Sequence, residues 1–234
     1  MAPLALVTGA AHRLGKVFAL TLARHGFDIL LHYHRSLEAA RQTQAEVESV
    51  GRRVILSRAD LTDPAQIQSL VSTFDSLNVL VNSAAFMPSG NVDSLTLEDW
   101  DASLDLNLRA PFLLAQACAK KMTGGGLIVN ITDVGAQKAW SRYPSYTVSK
   151  ASLESLTRVL ARALAPQIRV NAIAPGLVLR SDLVSEEEWQ RLINRVPLKR
   201  PARAEEIASA LEFLLENEYI TGQTIVVDGG YSLI

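Results

Sequence analysis

Cysteine is almost missing from this chain: Cys118 stands alone among 234 residues. One thiol excludes an internal disulfide and argues against a thiolate metal cluster, so no metal site is expected. An excess of positive charge is missing as well. Lys and Arg total 23 against 24 Asp and Glu, a formal −1. The basic surplus or stripe that nucleic acid or an anionic membrane surface calls for is therefore not there. No apolar run approaches the ~20 residues of a membrane-spanning helix. Met1-Ala2-Pro3 runs straight into an apolar, strand-like segment, leaving no room for a signal peptide. What is present is 48% apolar residues, enough for a sizeable core. The expectation is one domain, residues 1–234, cytoplasmic, acting on a small molecule with no nucleic-acid or membrane partner.

Short apolar runs at 4–7, 29–33, 53–56, 79–81, 127–131, 168–173 and 224–227 alternate with helix-length stretches. Those stretches lie at about 14–25, 37–50, 64–73, 97–120, 143–164 and 204–216. Most of the runs are continuously hydrophobic, as in strands covered on both faces. Strand–helix alternation predicts an α/β fold: a doubly wound, parallel, seven-stranded, Rossmann-like sheet with helices on both faces. No linker, repeat or low-complexity tract divides the chain. Gly124-Gly125-Gly126 reads as a helix-to-strand turn.

Thr8-Gly9-Ala10-Ala11-His12-Arg13-Leu14-Gly15 leaves the first strand and opens the first helix. Small residues there let a pyrophosphate approach the backbone, and a helix N-terminus offers free N–H donors. The spacing is not G-x-G-x-x-G, and a tight turn that simply needs Gly9 is the alternative. The second strand ends His32-Tyr33-His34-Arg35-Ser36 with no carboxylate at its tip. An NAD site usually places an acid there, whereas a 2′-phosphate wants cations and hydroxyls. Arg35 and Ser36, with Arg13 adding a second guanidinium, favour NADPH; a solvated surface arginine is the alternative for Arg35.

Tyr146 and Lys150 are four apart in a helical stretch and share a face. An ammonium one turn away stabilises a phenolate, so the pair predicts a tyrosine whose pKa is lowered far enough to pass a proton near neutrality. Asp133 follows the fifth strand, thirteen residues before Tyr146, where such sheets bind ligands. It reads either as a catalytic acid or as a cap. Asn107, in an apolar helical stretch, must bond backbone or hold a water, and reads as structural or catalytic.

Taken in order, these motifs resemble the short-chain dehydrogenase/reductase family over essentially the whole chain. The matching segments are Thr8 to Gly15, Asp60, Asn82-Ser83-Ala84-Ala85, Asn107, Tyr146, Lys150 and Pro175-Gly176. The resemblance implies strand order 3-2-1-4-5-6-7, hydride transfer from the nicotinamide, and dimers or tetramers built on the fourth and fifth helices, with the tetramer favoured. It implies cofactor contacts from Gly9, His12, Arg13 and Leu14, from His34, Arg35 and Ser36, and from Asp60 and Leu61. Asn82, Ala84, Tyr146, Lys150, Pro175 and Gly176 complete that implied set.

Two departures stand out. Arg13 replaces the middle glycine of the family's loop, and Asp133 replaces its catalytic serine. Together with His32-Tyr33-His34-Arg35-Ser36, they are similar to the pteridine reductase branch and the related bacterial dihydromonapterin reductases. That likeness implies NADPH-dependent reduction of a pterin. Tyr146 would protonate N5, Lys150 would hold the nicotinamide ribose, and Asp133 would orient Tyr146 and protonate N8 of a fully oxidised ring. Arg13, Phe86, Asp133 and Tyr146 are the expected substrate contacts, with Phe86 either stacking on the ring or sitting in the core. The segment 177–197 is expected to form a short, acidic lid, flanked by Trp140 and Trp189. The rival readings are a carbonyl reductase of a 3-oxoacyl, sugar or steroid-like ketone, and a non-catalytic NADP-binding sensor.

Overall fold

The computed structural model describes residues 2–181 and 184–234; Met1, Asp182 and Leu183, the last two within the expected lid, lie outside the described residues. Seven described strands form one parallel sheet: β1 (Leu4–Val7), β2 (Asp28–Tyr33), β3 (Val54–Arg58), β4 (Val79–Asn82), β5 (Gly126–Ile131), β6 (Ile168–Pro175) and β7 (Thr224–Val227). Their order is β3-β2-β1-β4-β5-β6-β7, as the sequence predicts. Register carries one row of side chains across the sheet, Leu30–Leu6–Leu80–Ile128–Val170.

The helices are α1 (Arg13–Arg24), α2 (Leu37–Ser49), α3 (Pro64–Val71), α4 (Leu97–Leu104), α5 (Ala110–Ala119), α6 (Gly135–Lys138), α7 (Pro144–Leu164), α8 (Glu186–Arg195) and α9 (Ala204–Glu216). Alternation along each strand decides which layer a side chain joins. Val7, Leu31, Val81 and Val129 pack with Phe18 and Leu22 of α1 and Leu211 and Leu214 of α9. Leu6, Leu30, Leu80 and Ile128 pack on the other face with Ile67 of α3, Leu114 of α5 and Leu160 of α7. The edge strand β3 leaves Ile55 about half exposed.

Two elements differ from the sequence expectation. The predicted helix over 97–120 is α4 and α5 joined by a π-helical turn, Asp105–Arg109. Pro111 has no N–H to return to the carbonyl four residues back, at Asn107, so the ladder loosens there. The acidic part of the expected lid is a helix, α8. Ser185 caps it by accepting the Glu188 N–H at 3.2 Å, and Glu186, Glu187 and Glu188 fill the first turn, where the helix dipole favours negative charge.

Candidate active site

The C-terminal ends of the strands open into a cleft of about 1090 Å³. It straddles the point between β1 and β4 where the strand order reverses, the usual ligand site of an open α/β sheet. Gly9 sits at φ +64°, and a Cβ there would lie 2.9 Å from the Ala84 Cα. Glycine is thus required both by the backbone angle and by the approach of the β4 loop. Thr8 ties the two loops together: its hydroxyl oxygen accepts from the Ser83 and Ala84 N–H groups at 2.9 and 3.0 Å. His12 precedes α1 without capping it, and no acid stands in that first turn, so its N–H groups are available to a phosphate.

At the end of β2, His34, Arg35 and Ser36 line the cleft. Asp60 turns one oxygen inward, accepting from the Thr62 N–H at 2.9 Å and the Thr62 hydroxyl at 2.7 Å. These bonds, with His34 and Arg35 nearby and against partial burial, hold its carboxyl below the usual range. The donor set therefore suits a ligand with a phosphate at this end. Arg13 adopts φ 54°, a left-handed angle where the family has glycine, and its guanidinium donates to the Leu179 and Arg180 carbonyls at 2.8 and 3.3 Å, on the β6 side of the cleft.

At the other end, Asp133 lies just beyond β5 and Tyr146 in the first turns of α7. The Tyr146 hydroxyl donates to Asp133 Oδ2 at 2.9 Å, while Asp133 Oδ1 accepts the Gly135 N–H at 2.7 Å and starts α6. Asp133 thus closes a turn at the head of α6 and meets the Tyr146 hydroxyl at the same time. Burial pushes its carboxyl up to about 6, against the opposing pull of the Gly135 N–H, the Tyr146 hydroxyl and the Lys150 charge. The Lys150 ammonium, buried on the same face of α7, donates to the Ile131 carbonyl at 2.7 Å, and burial brings it down to about 8.

The expected lowering of the Tyr146 pKa is overturned. Burial, then the charge and hydrogen bond of Asp133, raise it well above its ordinary value. Asp133 is in direct contact with the hydroxyl, whereas the Lys150 ammonium stands 5.6 Å from the ring centre. Tyr146 is accordingly held as a phenol, able to give a proton rather than take one.

Of the residues singled out by sequence, all but Asn82 and Asn107 line this cleft. Asn82 is buried beneath it and donates to Asn130 Oδ1 at 2.8 Å. Asn107 is also fully buried: it accepts the Phe86 N–H and donates to the Phe86 carbonyl, both at 2.8 Å, and donates to Ser149 Oγ at 3.0 Å. It is a positioning residue for the β4 loop, not a group that faces the cleft. Phe86 itself is 39% exposed, which removes it from the core and leaves its ring to the cleft. Sequence reasoning missed Tyr143 and Tyr231 as cleft residues. Nothing local marks Tyr231, which arrives from the far end of the chain. His32 was read only as part of the strand tip; a polar side chain in a buried strand was the available signal.

A family model described as enoyl-(acyl carrier protein) reductase matches residues 9–232. The chain belongs to the short-chain dehydrogenase/reductase family. It is an oxidoreductase of that NAD(P)-dependent group. A 3-oxoacyl-[acyl-carrier-protein] reductase of Synechocystis sp. is 35% identical, over 98% of this chain and 96% of the relative. Among solved structures, FolM alternative dihydrofolate reductase 1 from Brucella suis, in complex with NADP, superposes with a TM-score of 0.93 at 36% identity, covering 99% of this chain and 96% of that one. Acetoin dehydrogenase from Enterobacter cloacae reaches 0.90 at 35% identity, covering 100% and 97%.

Proposed function

We propose that this chain is an NADPH-dependent reductase of pterins, a single domain over residues 1–234, working in the cytoplasm. The observation that carries this reading is the carboxyl group of Asp133 bonded at 2.9 Å to the Tyr146 hydroxyl inside the cleft. A ketone reductase needs only a hydroxyl donor at that position. Saturating a C=N bond requires a proton on nitrogen each time carbon is reduced, and a carboxylic acid resupplied from solvent can deliver it. The solved FolM structure, at 36% identity, is in keeping with a pteridine-type substrate.

NADP(H) is the cofactor. The loop Gly9 to Leu14 and the N-terminus of α1 would hold its pyrophosphate. His34, Arg35 and Ser36 would take the 2′-phosphate, Asp60 and Leu61 the adenine end, and Ala84, Pro175 and Gly176 the nicotinamide half. When bound, it supplies hydride. Tyr146 gives its phenolic proton to N5 of a 7,8-dihydropteridine, and Asp133 replaces that proton. With burial pushing its carboxyl up to about 6, Asp133 can exchange a proton with water near neutral pH and act as a relay. Lys150 would hold the nicotinamide ribose and keep a positive charge behind the phenol as its proton leaves. Phe86, on the loop pinned by Asn107, would stack on the pterin, and Arg13 would reach its polar edge.

A second reading has its own support. The 3-oxoacyl-[acyl-carrier-protein] reductase relative suggests a ketone substrate, with Asp133 serving only to orient Tyr146. The two readings separate in one assay. NADPH oxidation is expected to be far faster with a 7,8-dihydropteridine than with an acetoacetyl thioester, and the reverse preference would establish the ketone reading. The chain also pairs with copies of itself, a tetramer being expected: Leu104, Leu108, Phe112 and Leu156, with the Asp105–Arg109 ion pair, line a largely apolar depression of about 350 Å³ where α4, the π-helical turn, α5 and α7 meet.

A further inference from the structure

His32 is a polar side chain in a strand whose neighbours Leu30 and Leu31 are wholly buried, and it is only 2% exposed itself. Such a group survives in a core only when its hydrogen bonds are made. Both ring nitrogens are engaged. The Gly9 N–H donates to Nδ1 at 3.1 Å, and Nε2 lies 3.0 Å from the Ala59 carbonyl oxygen. An amide N–H can only donate and a carbonyl can only accept, so the ring must be neutral with its proton on Nε2. The backbone of the same residue takes the next amide, as the Ala10 N–H donates to the His32 carbonyl at 3.0 Å.

We propose that His32 is a positioning residue for the cofactor: through this one tautomer it clamps the phosphate loop at Gly9 to the end of β3 at Ala59. Two successive amides of the loop end on His32, which turns the loop so that the N–H groups following it, at the head of α1, face the cleft. Ala59 directly precedes Asp60 and Leu61, which line the nucleotide end. One imidazole thus joins the two walls between which a nucleotide would lie.

The surroundings agree with a permanently neutral ring. Burial, helped by His34 and opposed by the Ala59 carbonyl and Asp60, brings His32 down to about 4. A charged ring would have to surrender the Gly9 N–H, since both its nitrogens would then be donors.

The inference rests on the cofactor reading above, and two replacements split the clamp into halves. In His32→Asn, the amide oxygen stands near the place of Nδ1 and keeps an acceptor for Gly9. In His32→Gln, the amide nitrogen stands near the place of Nε2, keeps a donor for Ala59, and leaves the Gly9 N–H unpaired. Fluorescence titration is expected to show NADPH and NADH weakened together by about tenfold in the Gln variant, because the pyrophosphate is common to both. The Asn variant, which keeps the Gly9 bond but releases Ala59, should fall between wild type and the Gln variant. An Asn variant that binds as wild type does, no loss in the Gln variant, or a loss confined to NADPH would overturn the proposal. The wild-type protein offers a test independent of folding in either variant. Two-bond proton–nitrogen spectra at pH 7 should show the Nε2–H tautomer, with and without NADPH, and an Nδ1–H or doubly protonated ring would refute the clamp. Failure of wild-type protein to bind NADPH at all would strike the cofactor reading instead, and the ring spectrum would still decide how His32 is bonded.

Discussion

Asp133 divides its two oxygens between a backbone turn and a side-chain hydroxyl. Oδ1 begins α6 and Oδ2 receives the Tyr146 hydroxyl. A carboxyl whose folded value exceeds its unfolded one holds its proton more tightly in the folded state. Its contribution to stability is complete below the unfolded value near ~3.9 and is lost as pH rises through about 6. Activity that draws on this proton follows the same direction. The rate with a dihydropteridine at saturating NADPH is expected to fall as pH rises from about 6 to 8, and Asp133→Asn should flatten that limb while lowering the rate. A falling limb of unchanged shape in the variant would place the titrating group elsewhere. Tyr146→Phe removes the proton donor, and turnover should drop by about two to four orders of magnitude, the usual scale for losing a general acid. NADPH affinity measured by titration should change little, because the lost hydroxyl is bonded to Asp133.

At the scale of elements, the π-helical turn between α4 and α5 does what a regular helix would not. It lets Asn107 bond both backbone groups of Phe86 from a position that is fully buried. Asn107→Leu would strand the Phe86 N–H and carbonyl, while the Ser149 hydroxyl would keep its bond to the Tyr146 carbonyl. Each buried polar group left unpaired costs about 1–3 kcal/mol. Urea denaturation is therefore expected to show a loss of at least about 2 kcal/mol, with KM for the substrate raised as the β4 loop loosens. An unchanged midpoint would mean that the loop is held by other contacts. Proline at position 111 was visible in the sequence, but its consequence was not. A proline seven residues inside a long apolar stretch can end a helix, kink it or widen one turn, and the packing of Asn107 against the β4 loop selected the last. The cap of α8 was equally visible, as Ser185 three residues before Glu188, yet the segment was read only as a short, acidic lid and not as a helix start.

For the whole molecule, the alternation of strands and helices was sufficient to predict a parallel sheet covered on both faces, because continuous apolar strands must be buried on each side, while the strand order came from the family resemblance. The outer face of α4, α5 and α7 remains half covered: Phe112 is 41% exposed beside Leu104, Leu108 and Leu156. Phe112→Glu would place a charge in that apolar depression. Sedimentation should show it shifted to smaller species than wild type, with far-ultraviolet circular dichroism unchanged. Wild-type protein that sediments as a monomer would remove the self-association.

Composition, periodicity and motif order determined the fold class, the cleft at the strand ends and the cast of chemical groups, because each depends on residue type at short range. Which of those groups meet was decided only by the tertiary structure. The sequence placed Tyr146 beside Lys150, since four residues make one helical turn, and so predicted a phenol with a lowered pKa. The resemblance also implied that Asp133, just beyond β5, would orient Tyr146; in the fold, burial and that contact raise the hydroxyl's pKa instead. The fold likewise sent the Arg13 guanidinium to the β6 side, sank Asn82 and Asn107 beneath the cleft, and joined His32 to Gly9 and Ala59. Hydrogen bonds between segments tens of residues apart depend on distance in space and on burial, and neither is written in local spacing.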